Sequence, residues 1–330
     1  EEASQIVDIQ EGQSKEIRFE LKARILELDP VLILKERSSV VGFGPKFLRL
    51  PGSASVVTSR DLAKYNDTDI NRIISRIPGV YVQEEDGFGL RPNIGMRGTG
   101  VERSSKINLM EDGIPIAPAP YSSPAAYYSP TAGRMESFEV RKGSSQIKYG
   151  PQSTGGALNY ISTSIPRDFR VKANLFGGQF NTYKAHVNIG SSGETFGYLL
   201  ETFIDQTTGF KNLDHAGQNT GFSKADYLGK FRFNTPKSFT IPAAIELKYS
   251  ITDELSNETY LGLSRSDFSI DPLRRYAASG IDEMNADHAQ TVLTGVVKPL
   301  PNVDLTVAYY NNEFNRNWYK LSKVGGSSIG

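Results

Sequence analysis

From about residue 166 onward the chain alternates apolar and polar side chains one by one. Tyr183, Ala185, Val187 and Ile189 interleave with Lys184, His186, Asn188 and Gly190. Ile245, Leu247, Tyr249 and Ile251 interleave with Glu246, Lys248, Ser250 and Thr252, and Val303, Leu305, Val307 and Tyr309 with Asp304, Thr306, Ala308 and Tyr310. A period of two sends each set to its own face of a strand. The pattern predicts seven strands, near 168–177, 182–191, 195–206, 223–234, 243–252, 288–299 and 303–316. Turns after the second, fourth and sixth are short; those after the third and fifth, 207–222 and 253–287, are long. Short turns at one end and long loops at the other are the arrangement of a membrane β-barrel. A soluble β-sandwich also alternates, but it would bury its second face rather than line it with Lys, Arg, Glu and Asn.

Residues 40–165 read differently, as a mixed α/β domain. Ile70, Ile73, Ile74 and Ile77 recur at helical spacing and predict a helix over about 68–77, capped by Asp67 or Thr68 and stopped by Pro78-Gly79. Met110-Glu111-Asp112-Gly113-Ile114 reads as a hairpin with a type I′ turn. Ala117 to Pro130 holds four prolines and three tyrosines, which suits an exposed stiff loop. Before this domain, Ile17 to Leu21 alternates like one strand, and Pro30-Val31-Leu32-Ile33-Leu34 is a short apolar extended stretch.

Composition narrows the functions. Lys plus Arg and Asp plus Glu both number 37, so no net charge draws the chain to nucleic acid. The absence of Cys excludes disulfide scaffolds and thiolate metal sites. No run of 18 apolar residues offers a membrane helix, which leaves a strand-built barrel open. The opening Glu1-Glu2-Ala3-Ser4 is not a signal peptide, and an open seven-stranded edge cannot face lipid, so the chain is expected to be a mature or trimmed part of a longer protein. Catalysis has little to stand on. Gly150 to Gly156 mimics a phosphate loop, but Gly156 and Ala157 stand where Lys and Ser/Thr are needed. Gly87-Phe88-Gly89 lacks the third glycine of a dinucleotide loop, and His186, His215 and His288 are scattered. The reading is of a non-enzyme with no cofactor and no resident metal.

Five motifs in order carry a resemblance: Ile77-Pro78-Gly79-Val80, Met96-Arg97-Gly98, Leu109 to Pro115, Phe138 to Gly143, and Tyr149 to Tyr160. Together they resemble the plug of TonB-dependent outer-membrane receptors. Tyr149 to Asn159, Ile165 to Phe169, Ala119-Pro120-Tyr121 and Gly262 to Phe268 resemble the ferric dicitrate type in particular. Residues 1–29 resemble the end of the carboxypeptidase-regulatory-type β domain that precedes such receptors in Bacteroidetes-like bacteria. The resemblance implies an α/β plug domain (40–165) followed by the first seven strands (166–330) of an antiparallel transmembrane β-barrel of about 22 strands. It makes residues 30–39 a linker whose Pro30, Val31, Leu32, Ile33 and Leu34 form a TonB box, able to pair with TonB by strand addition.

The resemblance also implies partners: TonB with ExbB and ExbD, outer-membrane lipid, and a ferric chelate whose iron is cargo. The plug and N-terminus would face the periplasm. Plug-apex loops 83–93 and 117–128 would face the ligand. Gly87, Phe88 and Gly89 would let backbone N–H groups approach an anion, beside Arg91, Tyr121 and Ser123. Arg265 in the 253–287 loop and Arg316 on the seventh strand would add guanidinium forks for an oxygen-rich anion. Arg316 aligns with a ligand-contacting arginine of the citrate type. Arg97, Glu139 and Arg141 would serve as structural ion pairs. Ser122-Ser123 replaces the glutamine-bearing loop of that type, so another siderophore, haem, a vitamin or a carbohydrate is the alternative cargo.

Overall fold

The structure, a computed structural model, describes residues 53–116, 127–143, 154–215, 219–236, 238–300, 302–325 and 327–328. Residues 1–29, the Pro30 to Leu34 stretch, Tyr121 and Ser123 lie outside these.

The first unit is an α/β domain. Strand β1 (Ser53–Val57) leads to helix α1 (Ser59–Tyr65) and helix α2 (Ile70–Ile74). A hairpin of β2 (Val80–Gln83) and β3 (Asn93–Met96) follows, then β4 (Ile107–Glu111), β5 (Ile114–Pro115), β6 (Met135–Lys142) and β7 (Gly156–Ser162). The main sheet runs β1-β6-β7-β4-β5, with β4 parallel to β7 and its other pairs antiparallel. The four isoleucines of the helical stripe are all buried, against Ile94, Leu109, Phe138 and Leu158 among others. Helix α2 is shorter than the pattern predicted, and its cap is Asp69, not Asp67 or Thr68. Asp69 accepts the Asn71 N–H at 2.8 Å, and an i→i+3 bond from Ile77 N–H to Ile74 ends the turn before Pro78. Asp112 and Gly113 have φ of 52° and 81°, the left-handed pair a type I′ turn requires.

The second unit is one antiparallel meander of seven strands: β8 (Arg170–Gly178), β9 (Thr182–Ser192), β10 (Phe196–Thr207), β12 (Phe222–Asn234), β13 (Ala243–Asn257), β15 (Glu283–Leu300) and β16 (Val303–Tyr319). It is an open sheet. The loop between β10 and β12 contains β11 (Asn212–Leu213); the loop between β13 and β15 contains helix α3 (Arg265–Ile270) and β14 (Arg274–Arg275). The second long loop is shorter than predicted. Ladder pairing continues from Asp253↔Asp287 to Asn257↔Glu283, because the in–out alternation persists through Glu254, Ser256 and Met284 despite the charge that read as loop.

The two long loops are joined. β11 and β14 pair in parallel, and Arg274 forks onto Asp214 at 2.9 Å while reaching Asp267 at 2.8 Å. The faces of the sheet differ as alternation requires. Leu200, Tyr227, Ile245, Tyr249, Leu305, Val307 and Tyr309 are exposed on the outer face, whereas Lys224, Asp226, Lys230, Lys248, Ser250 and Glu254 are buried on the inner face against the α/β domain. No helix among the described residues is long and apolar enough to cross a membrane, which leaves crossing by strands open.

Ile73→Ala should destabilise the α/β domain by about 2–5 kcal/mol, since the site is sealed and cannot collapse around the lost methyls. Limited proteolysis of that domain in the folded protein, against wild type, measures this.

Candidate functional site: the seam between plug and strands

The 3₁₀ turn Ala132–Arg134 before β6 sets the α/β domain against β10 of the sheet. Gly133 permits the approach, because a Cβ there would sit 2.2 Å from the Phe203 ring of β10. Arg134 is fully enclosed. It reaches Glu111 at the end of β4 at 2.9 Å and Asp226 of β12 at 2.8 Å. Lys248 of β13 answers from the sheet, 2.6 Å from Glu111 and 2.7 Å from Asp112, with Lys230 3.7 Å from Asp112. Three acids and three bases thus alternate across the seam. Burial pushes the Asp112 carboxyl up, but Lys230 and Lys248, with hydrogen bonds from Lys248 and Ser162, hold it below its ordinary value. Glu111 is lowered in the same balance, against burial, by Arg134 and Lys248.

A second tie lies toward the long-loop end. Arg91, expected to meet ligand, is instead buried and spent on the sheet: 2.6 Å from Glu254, 3.2 Å from Glu258, and donating to Ser256 at 3.1 Å. Burial works against this guanidinium, yet Glu254 and Glu258 hold its proton more firmly than usual. The neighbouring loop corrects a second expectation. Gly87 and Gly89 do adopt left-handed φ of 84° and 80° and turn N–H groups inward. The donors of Phe88, Gly89 and Arg91 nevertheless converge on Asp86 at 2.5, 2.7 and 2.9 Å. The concavity already holds its own carboxylate. Phe88 packs on Phe210 and Phe222, with ring centroids 5.3 and 5.1 Å away.

The other expected residues scatter. Arg97 is exposed on a turn at φ 52°, its N–H donating to Gly79 and its side chain lying beside Gly143, with no ion pair among the described residues. Glu139 is buried and accepts from Asn159 at 3.0 Å; Arg141 is buried in the same strand. Arg265 is exposed at the start of α3. Arg316 lies on the inner face at the long-loop end, 3.7 Å over the Tyr127 ring and 5.8 Å from Trp318. Arg103 and Lys320 stand near the same rings, 5.5 Å from Tyr127 and 5.0 Å from Trp318. Arg134, Asp226 and the Tyr127–Trp318 pair were not foreseen. The parity of Lys230 and Lys248 on the polar face was the available signal for the seam.

An α/β domain seated by buried ion pairs on the polar face of an antiparallel sheet, whose other face is apolar, is a plug within part of a membrane-type β-barrel. Residues 47–157 match the TonB-dependent receptor plug domain. Among solved structures, the chain is similar to the unliganded ferric citrate transporter FecA, with 24% identity over 83% of this chain and 41% of that one, at a TM-score of 0.71. It is also similar to the ferric yersiniabactin uptake receptor FyuA of Yersinia pestis, with 15% identity over 82% of this chain and 42% of that one, at 0.65. The open form of the ferric-catecholate import receptor Fiu of E. coli K12 gives 15% identity over 82% and 39%, at 0.61. The chain spans about two fifths of these structures.

Two outcomes test the seam. Arg134→Met should destabilise the assembly by about 3–5 kcal/mol, since Glu111 and Asp226 are left buried without their partner; the melting temperature in detergent reads this. Asp112 and Glu111 have lowered values, so their contribution is complete above the ordinary carboxylate range, about pH 4, and disappears only as pH falls through the lowered values. Protease access to the plug should therefore stay constant from neutral pH to about 4 and rise below it.

Proposed function

We propose that this chain is the plug and leading barrel strands of a TonB-dependent outer-membrane receptor that imports an anionic ferric chelate of the ferric citrate kind. In this reading residues 40–165 are the plug, 166–330 the start of the barrel, 30–39 the TonB-box linker, and 1–29 the end of a preceding domain. The outer face supports a lipid environment: Phe196 and Phe233 are exposed there and pair at 5.0 Å at the short-turn end, where an aromatic girdle belongs. The short-turn end would face the periplasm, where TonB, driven by ExbB and ExbD, would pull on Pro30 to Leu34. The activity is transport rather than catalysis, as in the transporter and receptors it is similar to.

The observation that carries the cargo reading is the gathering of Arg316, Arg103 and Lys320 where the plug apex meets the end of β16. Arg103 is neutralised by Glu85. Arg316 lies over the Tyr127 ring, which orients the guanidinium. An oxygen-rich anion lowered onto the apex would meet this rim and not the Asp86 loop. The rings of Tyr127, Tyr260 and Trp318, with centroids 5.7 and 5.2 Å from Trp318, favour a second reading in which the cargo is flat, as haem is.

Arg316→Ala should weaken ferric citrate binding by about tenfold to a hundredfold, the effect of losing a charge-assisted contact of roughly 1.5–3 kcal/mol. Lys at this position should rescue only in part, for want of the planar fork. Equilibrium binding to folded receptor in detergent measures both, and unchanged binding would favour the flat cargo. Removing Pro30 to Leu34 should abolish uptake of labelled ferric citrate by cells while leaving surface binding intact; continued uptake would place the coupling segment elsewhere.

A further inference from the structure

The ion pairs of Arg91, Arg134 and Lys248 tie the plug to one side of the sheet among the described residues. All three join it to β12, β13 and the loop that follows. On the opposite side α1 has no buried residue and faces a cavity of about 610 Å³ between itself and the inner face of β8, β9 and β10. That volume lies within the roughly 300–1,000 Å³ of small-molecule sites. The barrel wall of the cavity includes Arg170, Lys172 and Asn174 of β8, and Lys184, His186 and Asn188 of β9. With Phe176 also in the lining, the cavity follows β8 from Arg170 to Phe176, about 20 Å at roughly 3.3 Å per residue. It is an elongated slot along the strands, and Arg170, Lys172 and Phe176 are exposed in it on β8, the edge of the sheet.

Its charge is unbalanced. Lys184 pairs with Asp205 at 3.0 Å, and His186 shares a 2.8 Å hydrogen bond with Glu201. On the plug side Asp67 is paired with Arg76, and Glu136, which accepts from Ser164, adds one carboxylate to the lining. Arg170 and Lys172 have no ion pair among the described residues, whereas the inward Lys224, Lys230 and Lys248 each meet a carboxylate.

We propose that this slot is a second, internal anion site, taking a small multiply charged carboxylate chelate as it passes the plug. The proposal rests on the transport reading above and adds the route. Cargo released from the apex would move along the wall of β8, where Arg170 and Lys172 hold it, while the seam on β12 and β13 stays closed.

The 330 residues contain no Cys, so Asn174→Cys in the full-length receptor adds a thiol inside the slot. In purified receptor, an anionic methanethiosulfonate should modify this thiol faster than its cationic analogue. Adding Arg170→Ala and Lys172→Ala should remove the preference. Equal rates in the parent overturn the anion site whatever the natural cargo is. In cells, Arg170→Ala with Lys172→Ala should lower ferric citrate uptake by about tenfold, the scale of one charge-assisted contact, with surface binding in de-energised cells and the melting temperature unchanged. Filling the slot through Asn174→Cys with a bulky uncharged maleimide should block uptake in the same way. Uptake that survives filling, or that falls only together with melting because the two cations merely pair with carboxylates elsewhere in the barrel, overturns the route. Absent surface binding in the unmodified receptor counts against the ferric citrate reading alone, since the thiol reaction rates do not depend on it.

Discussion

Arg134 holds its charge with no exposure to water, and that is tolerable only because Glu111 of the plug and Asp226 of the sheet close on it from opposite sides. Neither unit satisfies the guanidinium alone. The strands can expose a polar inner face because the plug supplies the counter-charges, and the plug can carry a charged surface because the strands supply theirs. Lys248 repeats the logic with the sign reversed, a base of the sheet between two acids of the plug. A buried network of this kind is weak evidence for stability gained, since desolvation consumes much of the attraction. Its value is positional: a displaced plug would leave charges of both signs uncompensated.

The position it selects also organises the long-loop end. With Gly133 seated on Phe203, the β2–β3 hairpin loop comes up beside β13, and Arg91 closes on Glu254 and Glu258. The apex is thus firmly attached on one flank. On the other flank a cavity lies between α1 and β8 and β9, and Lys184 reaches across to Thr68.

Strands and helix were readable because each has a period that one face of burial imposes. The seven alternations marked the ladder, and the isoleucine stripe marked α2. Charge partnership was not readable, because nothing local pairs Arg134 with Asp226 or Arg91 with Glu254. Arg91 looked like a ligand arginine partly because Glu254 stood in residues that read as loop. The occupied Asp86 concavity is different: the aspartate immediately precedes Gly87-Phe88-Gly89, and a short acidic side chain hydrogen-bonds the N–H groups just after it as a matter of course. That chemistry was local.

Two strands of two residues each, β11 and β14, link the long loops, and Arg274 bolts them through Asp214 and Asp267. Loops at the mouth of a barrel are usually free to diverge independently of one another. Here a change at Asp214 removes the partner that holds Arg274 to the other loop and leaves it only Asp267 of its own, and a length change in either shifts the register Asn212↔Arg274. The two loops are a single unit of inheritance: among descendants of this sequence, insertions and charge reversals in one should be accompanied by compensating changes in the other.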